Sequence, residues 1–371
     1  MSYLGEEIPK LGFGLLRLPR LADETVDLEQ TIKMVDLFME NGFTYYDTAR
    51  GYKDSEVTIR KALVDRYPRE SYVFADKCAA WMSAKNAEEA KQEFYTSLEV
   101  TGVGYFDYYM LHNVGSYRTK VFDDYGMWDF IAERKAEGLI KHIGCSIHDE
   151  GAFVDEILTK HPDMEYVQLQ LNYMDWEDAI IQSRLCYEAA MKHGKPVIVM
   201  EPLKGGSLNF IPDAAKAILN ECRPDMSVAS WAIRFAASLP GIITVLSGMS
   251  TLEQMQDNIS YMKEFEPLSD EERAALAAAI EEISKVERIP CTACRYCEKV
   301  CPQQIPIADI IAVRNTHSQF NYLTRSKGIY GRETRNKAKG SDCIKCGACV
   351  RACPQKINVV ETLEEIVALF E

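Results

Sequence analysis

The chain has 371 residues, of which 47% are hydrophobic, so it can bury one large core together with a smaller one. Its formal net charge is −14 and its pI is near 5.1, and a surface of that sign repels nucleic-acid phosphate and anionic lipid. The apolar runs are too short for a membrane span, and the first residues form neither a basic nor an apolar leader. We therefore expect a cytoplasmic protein with neither nucleic acid nor a membrane as a partner.

Short β-branched or aromatic runs alternate with amphipathic segments of helical length between about residues 10 and 265. Eight such repeats predict a closed (β/α)₈ TIM barrel. The first strand–helix turn lacks the Gly-x-Gly-x-x-Gly fingerprint, which argues against an open Rossmann sheet. The expected strands are Leu11–Leu15, Thr44–Thr48, Tyr72–Lys77, Phe106–His112, Ile140–Ser146, Tyr166–Asn172, Pro196–Glu201 and Ile243–Gly248. Each strand is followed by a segment with a helical pattern, for example Leu28–Asn41, Ser55–Tyr67, Glu88–Thr101, Tyr125–Glu137, Ala179–His193, Ser227–Ala237 and Leu252–Phe265.

Polar side chains end most of these predicted strands. In a barrel of this kind the chemistry lies at the C-terminal ends of the strands, where the following loops form one face. Taken singly, each residue is more often a packing, capping or surface residue, so their shared position is what makes them candidates. They are Asp47, Lys77, His112, Ser146, Gln168 and Glu201.

A charged, alanine-rich segment, Asp270–Glu287, reads as a helix and comes just before the first clustered cysteine. We therefore predict two domains, a barrel over residues 1–287 and a small α+β ferredoxin-like domain over residues 288–371. Within the second, residues 305–342 form an insert with seven Lys and Arg against three Asp and Glu. This basic insert is expected to lie against the barrel mouth or to dock an acidic electron carrier. A solvated connector is the alternative.

Eight of the twelve cysteines lie in two short stretches, which is typical of metal binding in a reducing compartment. Both stretches have the spacing Cys-x-x-Cys-x-x-Cys-x-x-x-Cys-Pro of bacterial ferredoxins, in which the fourth cysteine ligates the cluster of the other run. We predict two [4Fe–4S] clusters with crossed ligands. The first set is Cys291, Cys294, Cys297 and Cys353, and the second is Cys343, Cys346, Cys349 and Cys301.

Two alternatives to redox clusters remain. Four thiolates also suit tetrahedral zinc, although zinc does not account for a third cysteine at the same gap or for both Cys-Pro endings. The clusters could also serve only to hold a small domain together.

Several barrel segments together resemble the aldo-keto reductase family. They include Tyr46-Asp47-Thr48-Ala49-Arg50-Gly51-Tyr52, Asp76-Lys77, Leu111-His112-Asn113, Gly144-Cys145-Ser146 and Glu201-Pro202-Leu203-Lys204-Gly205-Gly206. With the cysteine motifs, the chain resembles the branch of that family with a C-terminal two-cluster ferredoxin domain. The resemblance implies an oxidoreductase that reduces a small-molecule carbonyl.

The resemblance also implies roles for four residues. Tyr52 is the expected proton donor, Lys77 and Asp47 the charged pair that lowers its pKa, and His112 the residue that orients the substrate carbonyl. Elementary chemistry supports these roles, because a phenol has a reference pKa near ~10 and a neighbouring ammonium favours the phenolate.

NADP(H) or NAD(H) is the cofactor that the resemblance implies. Ser146 and Gln168 are the expected partners of the carboxamide, Met200 occupies the ring-stacking position that is often aromatic, and Leu203, Gly205 and Gly206 form the expected pyrophosphate loop. The positions expected near the adenine and its 2′-phosphate are Gly248, Gln254, Asp257 and Asn258. Gly248 and Gln254 replace the family's cationic residues, so the sequence leaves NADPH and NADH open.

A nicotinamide gives up two electrons together as hydride, whereas each cluster accepts one electron at a time. The cofactor that usually converts between two-electron and one-electron transfer is a flavin. We therefore expect a bound flavin or a flavoprotein partner, unless the clusters pass single electrons straight to a substrate at the barrel mouth or are only structural. The predicted electron partners also include a ferredoxin or flavodoxin. Two other functions stay open, a non-catalytic electron-relay or redox-sensing subunit and a non-redox lyase or isomerase on the same barrel.

Overall fold

The computed structural model describes residues 3–5 and 7–371. Eight parallel strands close into a barrel in chain order, with β1 paired to both β2 and β8. All eight predicted strands are confirmed, with ends that differ by at most two residues. They are β1 Leu11–Gly14, β2 Tyr45–Asp47, β3 Val73–Cys78, β4 Phe106–Val114, β5 Ile140–Ile147, β6 Tyr166–Gln170, β7 Val197–Met200 and β8 Ile242–Ser247.

The helices between the strands begin and end where local chemistry allows. Asp27 and Asn86 accept backbone N–H groups of Gln30 and Glu89, each at 2.9 Å, at the starts of α1 and α4, and Gly102 ends α4 at φ +67°. The barrel helices are α1 Leu28–Glu40, α2 Ser55–Ile59, α3 Ala80–Ser83, α4 Ala87–Thr101, α5 Thr119–Asp124, α6 Met127–Ala136, α7 Gly151–Lys160, α8 Ser183–Lys192, α9 Asp213–Cys222, α10 Val228–Ala237, α11 Leu252–Met262 and α12 Asp270–Ser284. Single π- or 3₁₀-helical turns occupy Arg60–Val64, Leu15–Arg17, Arg69–Ser71 and Lys204–Phe210.

The inside of the barrel is filled by side chains. The rings of Tyr45 and Tyr166 lie 5.4 and 5.0 Å from the ring of Tyr108, and all three are fully buried. Gly144 leaves room for this packing, because a Cβ there would come within 2.6 Å of the Tyr166 carbonyl oxygen. The barrel is therefore a packed core whose chemistry must lie at a rim.

The chain forms two compact units, and their boundary differs from the predicted domain boundary at residue 287. One unit comprises Met1–Gly205 and Ala229–Ser269, and the other comprises Gly206–Val228 and Asp270–Glu371. Helices α9 and α12 pack together in the second unit, where Arg223 and Glu272 form an ion pair at 2.9 Å. The predicted domain limits remain a prediction.

The rest of the second unit is built around its own apolar core. Its members include Ile307, Ile310, Leu363 and Ile366, all nearly inaccessible to solvent. The secondary structure of residues 288–371 consists of helices and one 3₁₀ turn, without the strands that an α+β description implies. These elements are α13 Tyr296–Lys299, α14 Ile307–Phe320, α15 Leu323–Glu333, the turn Gly340–Asp342, α16 Ala348–Ala352 and α17 Val359–Phe370.

The basic insert is ordered as α14 and α15 followed by the turn at Gly340–Asp342. Between these two helices, the Tyr322 ring stacks on Phe210, with ring centroids 4.3 Å apart and an interplanar angle of 24°. Within the part of the chain that the structure describes, no helix combines the length and apolar character needed to cross a bilayer.

Candidate functional site

A buried ion pair lies between the ends of β2 and β3. Lys77 is fully buried and Asp47 is 2% exposed, and the Lys77 ammonium contacts Asp47 Oδ1 directly. Lys77 Nζ also donates to the Thr48 carbonyl oxygen at 2.6 Å, and Gln168 Nε2 donates to Asp47 Oδ2 at 3.2 Å. Two further hydrogen bonds, one to each partner, therefore hold the pair in place.

The Tyr52 phenol stands beside this pair in the turn that follows β2. Its ring centroid is 5.1 Å from Lys77 Nζ and 5.6 Å from the His112 ring, which meets it edge-on at 82°. His112 ends the regular part of β4, and its Nδ1 is buried without a hydrogen-bond partner among the described residues. The structure thus brings all four predicted catalytic side chains together.

The protonation states follow from burial and the neighbouring charges. Burial raises the pKa of Tyr52, and the opposing effect of the Lys77 ammonium does not cancel that rise. Burial acts to lower the pKa of Lys77, but the Asp47 carboxylate shifts it above the ordinary value. Burial, Lys77, His148 and Arg118 lower the pKa of His112 to about 3, so its imidazole is neutral. Lys77 thus acts on the Tyr52 pKa in the expected direction, but burial outweighs its effect and the Asp47 carboxylate raises the pKa further.

The two predicted carboxamide partners are neighbours across the sheet, because Ser146 on β5 pairs in register with Gln168 on β6. Both are buried, and their side chains already have protein partners. Ser146 Oγ accepts the Asn113 N–H at 2.7 Å, and Gln168 contacts Asp47. Met200 is partly buried at the end of β7.

The predicted pyrophosphate loop contains strained backbone at two residues that are not glycine. Glu201 and Lys204 have φ of +52° and +48°, and Gly205 and Gly206 have φ of +63° and +94°. The Lys204 ammonium contacts the buried Asp175 carboxylate, which fixes the loop from one side. Leu203 is partly buried within it, and Gly206 is the first residue of the second compact unit.

Arg17 provides a cation that the sequence reading missed. Its Nη1 donates to the Gly205 carbonyl oxygen at 2.9 Å. Its Cδ would lie 3.5 Å from a Cβ added at Gly248, so the aliphatic part of Arg17 covers the space that this glycine leaves. A positive charge therefore stands between two of the predicted cofactor positions.

The remaining predicted cofactor residues lie on or beside α11. Gln254 is exposed, and its Oε1 accepts the Ser250 N–H at 2.8 Å. Asp257 is partly buried. Asn258 is buried, and its side chain donates to Ser247 Oγ at 2.7 Å and accepts from the Tyr261 hydroxyl at 2.5 Å. Asn258 thus orients the helix from within, and its contact with adenine remains a prediction.

The eight clustered cysteines line two cavities in the second unit, and each cavity takes its fourth cysteine from the other run. No disulfide joins any of the twelve cysteines. Apolar side chains such as Ile311, Val359, Ile305 and Leu363 complete the walls. One cavity is lined by Cys291, Cys294, Cys297 and Cys353, and the other by Cys301, Cys343, Cys346 and Cys349.

Left-handed residues repeat between the cysteines of both runs. Ala293 and Arg295 in the first run have φ of +53° and +58°, and Lys345 and Gly347 at the equivalent positions have φ of +56° and +68°. Alternating backbone hand turns successive side chains and N–H groups toward one centre, an arrangement found around iron–sulfur clusters. Among the residues that the structure describes, no group of three or more His, Cys, Asp or Glu side chains is arranged to hold a single metal ion. The donor set and the cradle fit a cluster.

Comparison with known proteins follows the same division of the chain. The model of the Aldo/keto reductase family matches residues 10–281, and the model of the 4Fe-4S dicluster domain matches residues 290–357. The chain belongs to the aldo/keto reductase family. It is therefore an oxidoreductase, and it carries a ferredoxin-type domain as predicted.

Individual relatives in the aldo/keto reductase family are distant. An NADH-specific methylglyoxal reductase of Escherichia coli is 25% identical over 285 residues, which cover 63% of this chain and 83% of that protein. A solved aldo-keto reductase from Bacillus halodurans in its holo form has a TM-score of 0.59 at 22% identity, covering 74% of this chain and 93% of that one. One from Klebsiella pneumoniae in complex with NADPH has a TM-score of 0.57 at 21% identity, covering 73% and 90%. The structural likeness shows the fold.

Three further side chains of this aldo/keto reductase barrel stand at the same rim, and sequence reasoning missed them. Trp81 lies on α3 after β3, Arg118 lies at the start of α5 after β4, and His148 follows β5. His148 hydrogen-bonds with the Gln170 side chain. Their positions shortly after the ends of β3, β4 and β5 were the feature of the sequence that could have identified them.

Proposed function

We propose that this aldo/keto reductase reduces the carbonyl group of a small molecule to an alcohol at Tyr52, Lys77, Asp47 and His112. The observation that carries the proposal is the position of the Tyr52 phenol between the Lys77 ammonium and the neutral His112 ring. Bound NADPH or NADH would supply a hydride to the carbonyl carbon. The protein's own task is then to place the carbonyl and to deliver one proton to its oxygen.

Tyr52 retains its proton at neutral pH, because burial raises its pKa. As negative charge grows on the carbonyl oxygen, the phenol donates that proton, and the Lys77 ammonium stabilises the phenolate that is left. Asp47 balances the charge of Lys77 in a site from which water is largely excluded. His112 carries a single N–H at neutral pH, which can hydrogen-bond to the same oxygen without repelling Lys77.

The nicotinamide nucleotide would be held by Ser146 and Gln168 on adjacent strands and by the loop from Leu203 to Gly206. We expect Arg17 to supply the positive charge toward its phosphates, since its guanidinium already bonds to Gly205 and its aliphatic part covers Gly248. Guanidinium groups bind phosphate in a bidentate manner, which supports this assignment. Replacing Arg17 with Met should raise the dissociation constant of NADPH more than that of nicotinamide mononucleotide. Equal effects on both ligands would contradict the assignment.

Two [4Fe–4S] clusters would be held by the crossed cysteine sets, and each would carry one electron at a time. The two cavities, with one cysteine exchanged between the runs, support these ligand sets. A flavin, or a flavoprotein partner, would reconcile single-electron clusters with two-electron chemistry. The basic insert presents exposed cations on and after α15, which suit an acidic ferredoxin or flavodoxin, and a reducing compartment such as the cytoplasm suits the free thiols.

The decisive experiment is the Tyr52→Phe variant, assayed anaerobically with NADPH or NADH and a panel of simple aldehydes. We expect kcat to fall by roughly 10²- to 10⁴-fold while the cofactor dissociation constant stays nearly the same, because only the phenolic proton is removed. Tyr46→Phe is the matched control, since the Tyr46 hydroxyl is buried and has no hydrogen-bond partner among the described residues. A Tyr52→Phe enzyme with most of the wild-type kcat would show that another group donates the proton.

A further inference from the structure

Arg118 is a partly buried cation that forms no ion pair with a carboxylate of the described residues. Its Nη1 donates to Asn113 Oδ1 at 3.3 Å, and its guanidinium lies 4.7 Å from the centre of the Trp81 ring. Across residues 3–5 and 7–371, no Asp or Glu lies within ion-pair distance of it, whereas Arg50 in the neighbouring turn pairs with Glu56. A cation withdrawn from water without a protein counter-charge is ready to accept an anionic ligand.

Arg118 stands on the rim that carries the catalytic residues. Asn113, whose side chain it contacts, directly follows His112 and donates its backbone N–H to Ser146 Oγ at 2.7 Å. The charge of Arg118 acts on both His112 and His148, which places all three groups in one electrostatic environment. The contact with Asn113 therefore places the guanidinium at the end of β4 that carries His112.

Trp81 adds a second unused donor. It lies on α3, the short helix that begins three residues after Lys77, and its Nε1 is buried without a hydrogen-bond partner among the described residues. Helix α3 packs against the Tyr52 turn, because a Cβ at Gly51 would lie 3.0 Å from Met82 Sδ, and it also packs against α5. The stacked Trp81 and Arg118 side chains therefore present an N–H and a guanidinium at the catalytic rim.

We propose that Arg118 and Trp81, with His148 beside them, bind an anionic group of the substrate, so that the enzyme acts on aldehydes or ketones that also carry a carboxylate or a phosphate. This inference rests on the proposed carbonyl reduction and adds the class of substrate. A guanidinium offers two parallel N–H donors to either anion, and its stacking on Trp81 fixes the plane in which they point. The loop Gly115–Arg118, closed by the Arg118 N–H bond to the Gly115 carbonyl oxygen at 2.8 Å, sets the distance from β4.

The test compares matched substrates with the full-length holoenzyme. 4-Oxobutanoate against butanal examines the carboxylate, and glyceraldehyde 3-phosphate against glyceraldehyde examines the phosphate. We expect kcat/KM to favour the anionic member of one pair, and Arg118→Met to reduce that preference by roughly 10- to 100-fold, mainly through KM. Arg118→Lys should restore part of the preference. Arg184→Met, which removes an exposed cation paired with Glu177, is the control that leaves the preference unchanged.

A binding measurement separates this inference from the proposed reaction. Succinate and glycerol 3-phosphate carry the anions without a carbonyl, and their dissociation constants can be measured by calorimetry in the presence of NADP⁺. Binding that weakens at least about 10-fold in Arg118→Met supports the anion site even if no carbonyl is reduced. Equal binding of both compounds to wild type and Arg118→Met, or an unchanged preference between matched substrates, overturns the inference.

Discussion

The buried Lys77–Asp47 pair allows a sharp prediction about stability. Removing one partner leaves the other charge buried and uncompensated, because Lys77 is fully buried and Asp47 is 2% exposed. Lys77→Met would leave Asp47 with the Gln168 amide alone, and Asp47→Asn would leave the ammonium with the Thr48 carbonyl and an amide. Each single variant should lose about 3–5 kcal/mol of unfolding free energy.

The double variant, Asp47→Asn with Lys77→Met, carries no charge at either of the two positions. Its main cost is the Thr48 carbonyl oxygen, which loses its donor, worth about 1–3 kcal/mol. We therefore expect the double variant to be more stable than either single variant, whereas independent effects would add to about 6–10 kcal/mol. All three variants should lack carbonyl reduction, so the comparison isolates stability.

The assay is anaerobic urea denaturation of the full-length protein, followed by far-ultraviolet circular dichroism at equal iron content. The exposed pair Lys120 and Asp124, 2.8 Å apart on α5, provides the control, and its double variant should leave the midpoint nearly unchanged. Additive losses in the Asp47 and Lys77 variants would refute the reasoning, because they would mean that the two charges do not compensate each other.

Three further predictions test protonation, cluster ligands and electron delivery. Since the pKa of Tyr52 is raised and that of His112 is about 3, reductive kcat/KM should be flat between about pH 6 and 9 and fall only above about 10; an inflection near ~6.5 would contradict a neutral His112. In anaerobic iron analysis, the double variant Cys291→Ser, Cys353→Ser should keep about four of about eight iron atoms, because both residues ligate one cluster, whereas Cys291→Ser, Cys301→Ser should keep almost none, because it disrupts both clusters. The reverse order would exclude crossed ligation, as would stoichiometric zinc. Replacing the exposed cations Lys327, Arg332 and Arg335 of the basic insert with Gln should slow reduction of the protein by an acidic ferredoxin and weaken the salt dependence of that rate, while turnover with NADPH or NADH stays the same. An unchanged salt dependence would mean that the insert is only a connector.

The strands of the barrel were predictable because each is a short β-branched or aromatic run between polar segments, and burial on both faces requires such runs. Helices α7 and α9 were given no bounds from the sequence. Both begin without a side-chain capping hydrogen bond, after Glu150 and Pro212. Helices α6 and α8 also lack such a bond, yet apolar spacing indicated their positions, so the absence of a cap alone does not hide a helix.

The candidate site divides along a similar line. Tyr52 and His112 could be placed from the sequence, because position after a strand depends on chain order alone. The direction of the Tyr52 pKa shift could not be predicted from the sequence, because burial raises this pKa and the Lys77 charge lowers it, and only the structure shows which effect is larger. The same holds for Arg118, because the sequence contains 56 acidic residues and does not show which of them are out of reach.

The two halves of the molecule differ in what they can transfer. The four candidate side chains of the barrel can transfer a proton but are not electron carriers. The two cysteine cavities, in contrast, suit iron–sulfur clusters, which carry single electrons. If the clusters feed hydride chemistry at the barrel site, a two-electron group has to connect them, and protein purified anaerobically should contain about one flavin or reach full reduction only with a flavoprotein present. If the clusters are structural, removing their ligands should destabilise residues 288–371 while carbonyl reduction with NADPH or NADH continues. Flavin content and turnover of the Cys291→Ser, Cys353→Ser variant, measured on the same preparation, therefore distinguish an electron-fed reductase from a reductase with a structural ferredoxin domain.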